Sequence, residues 1–481
     1  MTHAPRTPRH ASGALLALIY LAACLAPLAL ALLRPAAPAD PWEHAAAGLG
    51  LVALSAMAVQ FVTSGRFHVI SARLGIDRIM AFHKIAAWWA LAALLLHPLL
   101  FVLPTWAENP ALGTERLTAY LTLPRYRTGV VALAALLLLV LSAALRERLP
   151  WQHETWRAGH LVLGMVAIFC GLHHAITAGR FSALGALNGF WWLTGLAVLL
   201  ILATLYLWRW ARLHRAPWRV ASVTKRADRI WELDVQPAPG TPPLAYRAGQ
   251  FAWITTGTHR FPLFDHPFSI ADSPRRPGLS FLIKELGDFT SAVPALAPGT
   301  PVGIDGPYGN FTLQDHPGDA ILLIAGGAGI GPIMGLLRDL AATGDTRPVR
   351  LAYAAGHPDN FACLDEIAAA QETLDLRTLL LSEEDTPSWQ GQLGRLTHER
   401  LETMLSGLDP ARSVAMICGP GRMITAVSDA LGDLGMPMRN IVYERFDYAG
   451  GTSRQDRRHR RHFYGVLGIV ALGTAGFALL A

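Results

Sequence analysis

Between His83 and His97 the chain reads HKIAAWWALAALLLH, an apolar helix with an imidazole at each end. Within hydrocarbon an ionisable residue is expensive, so a function is the first reason to look for when one is kept there. Fourteen residues separate the two histidines. At 100° per residue the second imidazole falls within about 40° of the first and roughly 21 Å along the axis. One face of one helix thus carries two candidate ligands, one near each membrane surface.

A second apolar stretch, RAGHLVLGMVAIFCGLHHAITAG, repeats the arrangement with His160 near its start and His173 and His174 near its end. Two such helices side by side offer two pairs of imidazoles, and metal sites in bundles are built from side chains on facing helices. Histidine is a usual axial ligand of haem iron. Any one of these residues alone reads as a satisfied polar group at a helix end; the same double spacing on two helices points to ligation.

The rest of the chain agrees with a membrane protein carrying something soluble. Of its 481 residues, 52% are hydrophobic and only 16% charged. Residues 13–33 are apolar enough to span a bilayer, and further spans are predicted at about 44–64, 82–103, 128–145, 158–178 and 190–208. The first run follows Arg6 and Arg9, as a signal peptide would, but it is long and lacks a clear cleavage site, so it is read as a retained helix. One set of loops holds Arg66, Arg73, Arg78, Lys84, Arg146, Arg148, Arg157, Arg209, Arg212 and Arg215; the opposite set holds Arg34, Arg116, Arg125, Arg127 and Arg180. The richer set is assigned to the cytoplasm, with the amino terminus and everything after residue 210, in a multi-pass protein of the cell (inner) membrane. The four cysteines, Cys24, Cys170, Cys363 and Cys418, are scattered and suggest neither a zinc or iron–sulfur cluster nor a disulfide framework.

From about residue 217 the pattern changes to short strands punctuated by Gly and Pro, which suggests a small antiparallel barrel. It contains HPFSI at 266–270, KELGDFTSAV at 284–293 and GPYGNF at 306–311. After residue 318 strands and helices alternate, as in a parallel α/β sheet that binds ligands beyond the carboxyl ends of its strands. Its first strand runs into GGAGIGP at 326–332. Glycines there let backbone N–H groups approach a pyrophosphate, and Pro332 suits a first helical turn. The glycines fall at 327, 329 and 331, so this is not the GxGxxG dinucleotide fingerprint.

The ordered set HPFS, GDFT, GPYG, GGAGIGP, CGP and ERF resembles the ferredoxin-reductase-type flavin and nicotinamide module. Joined to a four-histidine helical part, the chain resembles the NADPH oxidase and ferric reductase superfamily over roughly residues 44–448. The resemblance implies a six-helix di-haem membrane domain (1–215), a cytoplasmic FAD-binding β-barrel (216–315) and an NAD(P)H-binding α/β domain (316–448); the tail (449–481) departs from the family and is read from its own residues as a basic linker with a seventh helix. It implies that His266, Pro267, Phe268 and Ser269 line the flavin, with the Ser269 hydroxyl on the isoalloxazine. Gly287, Phe289 and Thr290 would hold the FAD pyrophosphate, with Lys284, Gly306 and Pro307 completing the cofactor contacts. Gly327, Gly329, Gly331 and Pro332 would take the nucleotide's phosphates; Cys418, Gly419 and Pro420 would lie by the nicotinamide, and Phe446 would stack on the flavin. Electrons would then pass from NAD(P)H through FAD to an inner haem between His83 and His160. From there they would reach an outer haem between His97 and His173 or His174, and an external acceptor.

Dioxygen giving superoxide is the leading acceptor, with a ferric chelate or a periplasmic protein as alternatives. Family spacing selects His173 and helix phase His174, with the lean toward His173. Animal oxidases carry a further His one turn after the outer ligand of the third helix, where this chain has Phe101. The second nucleotide-domain strand ends in His357 and Asp359 without the expected Arg, leaving NADPH and NADH both open. The run RQDRRHRRH at 454–462, before nineteen largely apolar residues, is read as a lipid-contacting anchor rather than a nucleic-acid patch. Two readings from other classes remain: a His-lined proton or metal transporter, and a flavin reductase that the bundle merely anchors.

Overall fold

The computed structural model describes residues 10–33, 40–64, 66–67, 70, 75–181, 185–257, 260–445 and 452–481. Phe446 lies outside them. Among the described residues seven helices are long and apolar enough to cross a membrane. The chain divides into two compact units.

The helical unit contains α1 (His10–Leu32), α2 (Pro41–Val59), α3 (Ile76–Glu108), α4 (Pro110–Thr122), α5 (Arg127–Ala144), α6 (His153–Ala178) and α7 (Ala186–Leu202). Its core gathers Cys24 and Leu28 of α1, Val52 of α2, Leu91 of α3, Leu136 of α5, Ile168 of α6 and Trp191 of α7. Two boundaries differ from the sequence expectation. Helix α3 runs past residue 103 to Glu108, through Pro98 and Pro104, because a membrane helix can absorb a proline's lost hydrogen bond where neighbours re-satisfy it. Helix α4 occupies a stretch expected to be loop. Its start is set by Asn109, whose side chain accepts from the Leu112 amide at 3.1 Å, and by Pro110 in the first turn. A Cβ on Gly113 would meet Trp106 at 2.6 Å, so only glycine lets α4 close against the end of α3.

The sheet unit comprises residues 75–77 and 208–459. Its first sheet joins β1 (Trp218–Ala227), β2 (Ile230–Pro237), β3 (Phe251–Thr256), β4 (His266–Ser269), β5 (Leu279–Lys284) and β6 (Pro301–Tyr308) in the order β4-β3-β6-β1-β2-β5. All pairings are antiparallel. The expected barrel is not closed: β4 and β5 are the two edges, and no ladder joins them. The reason is local, since β4 has four residues and Pro267 has no N–H to donate to a further strand. Val220, Leu233, Ile254, Phe281, Ile283 and Val302 form this sheet's buried side.

The second sheet is parallel, with β7 (Ala320–Gly326), β8 (Val349–Ala355), β9 (Leu376–Ser382), β10 (Gln392–Leu393), β11 (Ser413–Cys418) and β12 (Ile441–Glu444) in the order β10-β9-β8-β7-β11-β12. Successive strands are added on one side of β7 and later ones on the other. That reversal places a crevice beyond the carboxyl ends of β7 and β11, where open α/β sheets bind ligands.

The predicted seventh helix is present as Arg454–Leu480. Residues 460–481 belong to the helical unit, where Phe477 fits against Gly48 and Leu25 against Gly473. Residues 454–459 count with the sheet unit, where the Asp456 carboxylate accepts from the Tyr443 hydroxyl (2.7 Å), the Arg445 guanidinium (2.8 Å) and the Ser453 hydroxyl (2.6 Å).

Candidate functional site

In the helical unit the histidines come in pairs. His83 on α3 and His160 on α6 lie within electrostatic range of each other, and the Nδ1 atoms of both are buried without a hydrogen-bond partner. Trp156, one turn before His160, packs its ring 5.3 Å from that imidazole. At the other end of the same helices, His97 and His174 are likewise in range of each other. His97 Nδ1 donates to the Ala46 carbonyl at 2.6 Å, which fixes its tautomer and leaves Nε2 with a lone pair for a metal. A Cβ on Gly50 would come 2.7 Å from the His97 ring, and one on Gly129 would come 2.8 Å from His174, so both imidazoles rest on bare backbone.

His174, not the His173 toward which family spacing leans, is the residue turned to His97. His173 is exposed, with Nδ1 3.2 Å from the Thr128 hydroxyl. Among the described residues no three His, Cys, Asp or Glu side chains converge as a metal cluster. Two imidazoles per level, with unpartnered ring nitrogens, suit the two axial positions of a haem iron.

In the sheet unit, Ser269 ends β4 with its hydroxyl buried and unpartnered. His266 and Phe289 stack with ring centroids 4.1 Å apart, and Phe268 lies 5.8 Å from the same Phe289 ring. Thr290 Oγ1 accepts from the Leu286 and Gly287 amides at 2.8 and 2.9 Å, so that hydroxyl is already engaged in shaping its turn. Gly287 has open space around it. Lys284 closes β5, half-buried, while Gly306 and Pro307 lie in β6 with Gly306 against Ala252.

The glycines after β7 are placed by its junction with β11. Gly327 has φ +53 and faces open space. Gly329 approaches so closely that a Cβ there would lie 2.1 Å from the Cys418 carbonyl oxygen, so any side chain would push the two strand ends apart. Helix α8 (Ile330–Thr343) starts here with Pro332 in its first turn, and a Cβ on Gly331 would lie 4.0 Å from that of Ser269. The structure thus brings Ser269, Gly329, Gly331, Cys418 and Gly419 together, while Gly287, Phe289 and Thr290 form a separate turn.

Glu444 is a residue that sequence reasoning passed over, although it stands within the ERF motif. It pairs with Cys418 across β11 and β12. Burial, with the Asp77 carboxylate nearby, pushes its carboxyl up to about 8. Burial together with Glu444 and Asp77 also raises the Cys418 thiol, so it stays protonated.

Residues 49–171 match the family described as ferric reductase like transmembrane component, 218–312 a FAD-binding domain, and 323–429 an oxidoreductase NAD-binding domain. Among individual proteins, the chain is similar to the reductase component of propane 2-monooxygenase from Rhodococcus jostii (strain RHA1), at 31% identity over 47% of this chain and 62% of that one. The reductase component of phenol 2-monooxygenase from Pseudomonas sp. (strain CF600) is 30% identical over 44% of this chain and 62% of its own. The chain therefore spans under two thirds of the length of these relatives. A solved flavohemoglobin from Malassezia yamatoensis with bound FAD and heme is similar at TM-score 0.46 and 19% identity, covering 84% of this chain and 99% of that one. The chain's transmembrane, FAD-binding and NAD-binding parts follow in that order, the architecture of the NADPH oxidase and ferric reductase superfamily.

Proposed function

We propose that the chain carries electrons from cytoplasmic NAD(P)H across the membrane to an external acceptor, using one FAD and two b-type haems. The observation that carries this reading is the double pairing of His83 with His160 and His97 with His174 on α3 and α6. When bound, the nicotinamide and flavin supply hydride chemistry and the haem irons single-electron transfer. The protein's part is position, burial and axial ligation.

His83 with His160, and His97 with His174, would each hold one haem, which would supply single-electron transfer at its level. The buried Ser269 hydroxyl is free to donate to a flavin carbonyl or ring nitrogen, and Gly331 beside it keeps the nucleotide side of that space open. The amides that follow β7, at the start of α8, would answer the charge of a pyrophosphate. Cys418, Gly419 and Pro420 would border the nicotinamide, and Glu444, protonated at neutral pH, avoids placing a second negative charge beside Asp77. Phe446 keeps the flavin-stacking role that the resemblance implies. The excess of Arg and Lys in one set of loops supports a cytoplasmic NAD(P)H site.

Dioxygen, giving superoxide, is one acceptor of this wire. A ferric chelate is the second, favoured by the guanidinium groups gathered at the His97–His174 end. Proteoliposomes test the transmembrane step. With ferricyanide trapped inside and NADPH or NADH added outside, chains whose NAD(P)H site faces outward should reduce the trapped acceptor. Nucleotide oxidation that reduces only acceptors on its own side would contradict the reading.

A further inference from the structure

The seventh helix, Arg454–Leu480, lies in the tail that departs from the family, and its packing reaches the support of a proposed haem ligand. Its buried residues are Leu467, Val470, Thr474 and Phe477. Steps of three, four and three residues set all four on one stripe, as a helix laid against a bundle requires. Leu472 and Leu479 stand on the opposite side, 73% and 83% exposed.

That stripe meets α2 at a glycine. A Cβ on Gly48 would lie 2.9 Å from the Phe477 ring and 3.2 Å from the Thr474 methyl, so the ring rests directly on the α2 backbone. Phe181 adds a second ring on the same side, 5.5 Å from Phe477 and 6.1 Å from His44, one turn before Gly48. Two residues to either side of Gly48, the same helix serves His97. The Ala46 carbonyl accepts from His97 Nδ1 at 2.6 Å, and a Cβ on Gly50 would lie 2.7 Å from that imidazole. At 100° per residue Ala46 and Gly50 share a face to within about 40°, and Gly48 points about 160° away from each. Helix α2 is therefore a wall one helix thick, with the His97 imidazole on one side and the Phe477 ring on the other.

We infer that Phe477 is a positioning residue for the outer axial ligand, and that the seventh helix acts through α2 to set the hydrogen bond between His97 and Ala46. The inference rests on the electron-transfer reading above and gives this helix a part in it. A carbonyl that accepts from the far nitrogen of a ligating imidazole raises the ligand's basicity and fixes its ring orientation. A more basic ligand favours ferric over ferrous iron, so the length of that bond bears on the outer haem's potential. With Phe477 in place α2 has no room to withdraw from His97. Without the ring, the cavity behind Gly48 lets α2 relax into it and the bond lengthens. The inner pair lacks this lever, because among the described residues the Nδ1 atoms of His83 and His160 have no hydrogen-bond partner. The inner haem is thus a reference within the same molecule.

The test is a redox titration of both haems in the full-length protein in lipid nanodiscs, with the low-temperature EPR spectrum of the oxidised form. The signal lost in His97→Ala identifies the outer haem. Phe477→Ala should shift the outer haem's reduction equilibrium about fivefold toward the ferrous form, the weight of one hydrogen bond, and move its low-field EPR signal while the inner haem stays in place. Phe477→Leu, which refills most of the space, should give a smaller shift in the same direction. Leu479→Ala, on the outward side of the helix, should change neither haem. An outer haem unmoved in Phe477→Ala, both haems moved alike, or an equal shift in Leu479→Ala overturns the inference. Should Phe477→Ala fail to fold, Phe477→Leu decides: its small shift must be confined to the outer haem, and no shift there overturns the proposal. A wild-type protein that binds no haem would instead count against the electron-transfer reading and remove this inference with it.

Discussion

The two units bind by different means. In the helical unit the candidate chemistry rests on four imidazoles in an otherwise apolar bundle, and the backbone contributes by stepping aside at Gly50 and Gly129. In the sheet unit it rests mostly on backbone, where the turn after β7 is brought against the end of β11 and a single hydroxyl, Ser269, supplies a side-chain contact. A membrane interior offers no water to replace a lost ligand, so function there concentrates in a few residues. A sheet edge in water can spread the same task over many amides. Substitutions should therefore act as switches in the first unit and as graded changes in the second.

The largest effect should come from His97→Ala or His83→Ala. Each should remove one haem, taking the haem-to-flavin ratio from two to about one, and abolish reduction of the external acceptor while nucleotide still reduces flavin. Retention of both haems would break the comparison at its root. The next effect sharpens it within adjacent residues: His174→Ala should behave like His97→Ala, whereas His173→Ala should keep both haems, and the reverse result would restore the family spacing.

Graded effects belong to the sheet unit. Ser269→Ala removes one hydrogen bond of about 1 kcal/mol, so flavin should bind roughly fivefold more weakly without being lost, as titration of the flavin-depleted protein would show. Smaller still is the effect of Glu444. Its proton is held more tightly folded than unfolded, so its stabilising contribution is complete below its ordinary value of 4.5 and is lost as pH rises through about 8. The midpoint of thermal flavin release should therefore fall over that window, and Glu444→Gln should flatten the fall. An unchanged slope would mean that another group governs it.

The same contrast explains what could be read in advance. Long apolar runs and His spacing revealed the six helices and the paired levels, because helix periodicity and hydrocarbon leave few alternatives. Between His173 and His174 the sequence pointed two ways: helix phase from His160, with its 100° step, favoured His174, and family spacing favoured His173; the structure sets His174 against Gly129 and toward His97. Helix α4 was hidden by its charged residues Glu115 and Arg116, although Asn109 and Pro110 announced it. In the sheet unit the order of motifs indicated two sheets and their cofactors. Closure of the first sheet depends on an edge strand meeting another far along the chain, and Pro267 in the short β4 works against it. The role of Glu444 was invisible because a carboxylate in a strand acquires its raised proton affinity only from burial and from Asp77, more than 300 residues earlier.

The most direct test is the absorbance spectrum of the purified full-length protein, oxidised and after anaerobic addition of NADPH or NADH, with haem and flavin counted per chain. Two low-spin b-type haems and one FAD, the haems becoming reduced when nucleotide is added, are the predicted result. Flavin without haem would contradict the account and leave a membrane-anchored flavin reductase.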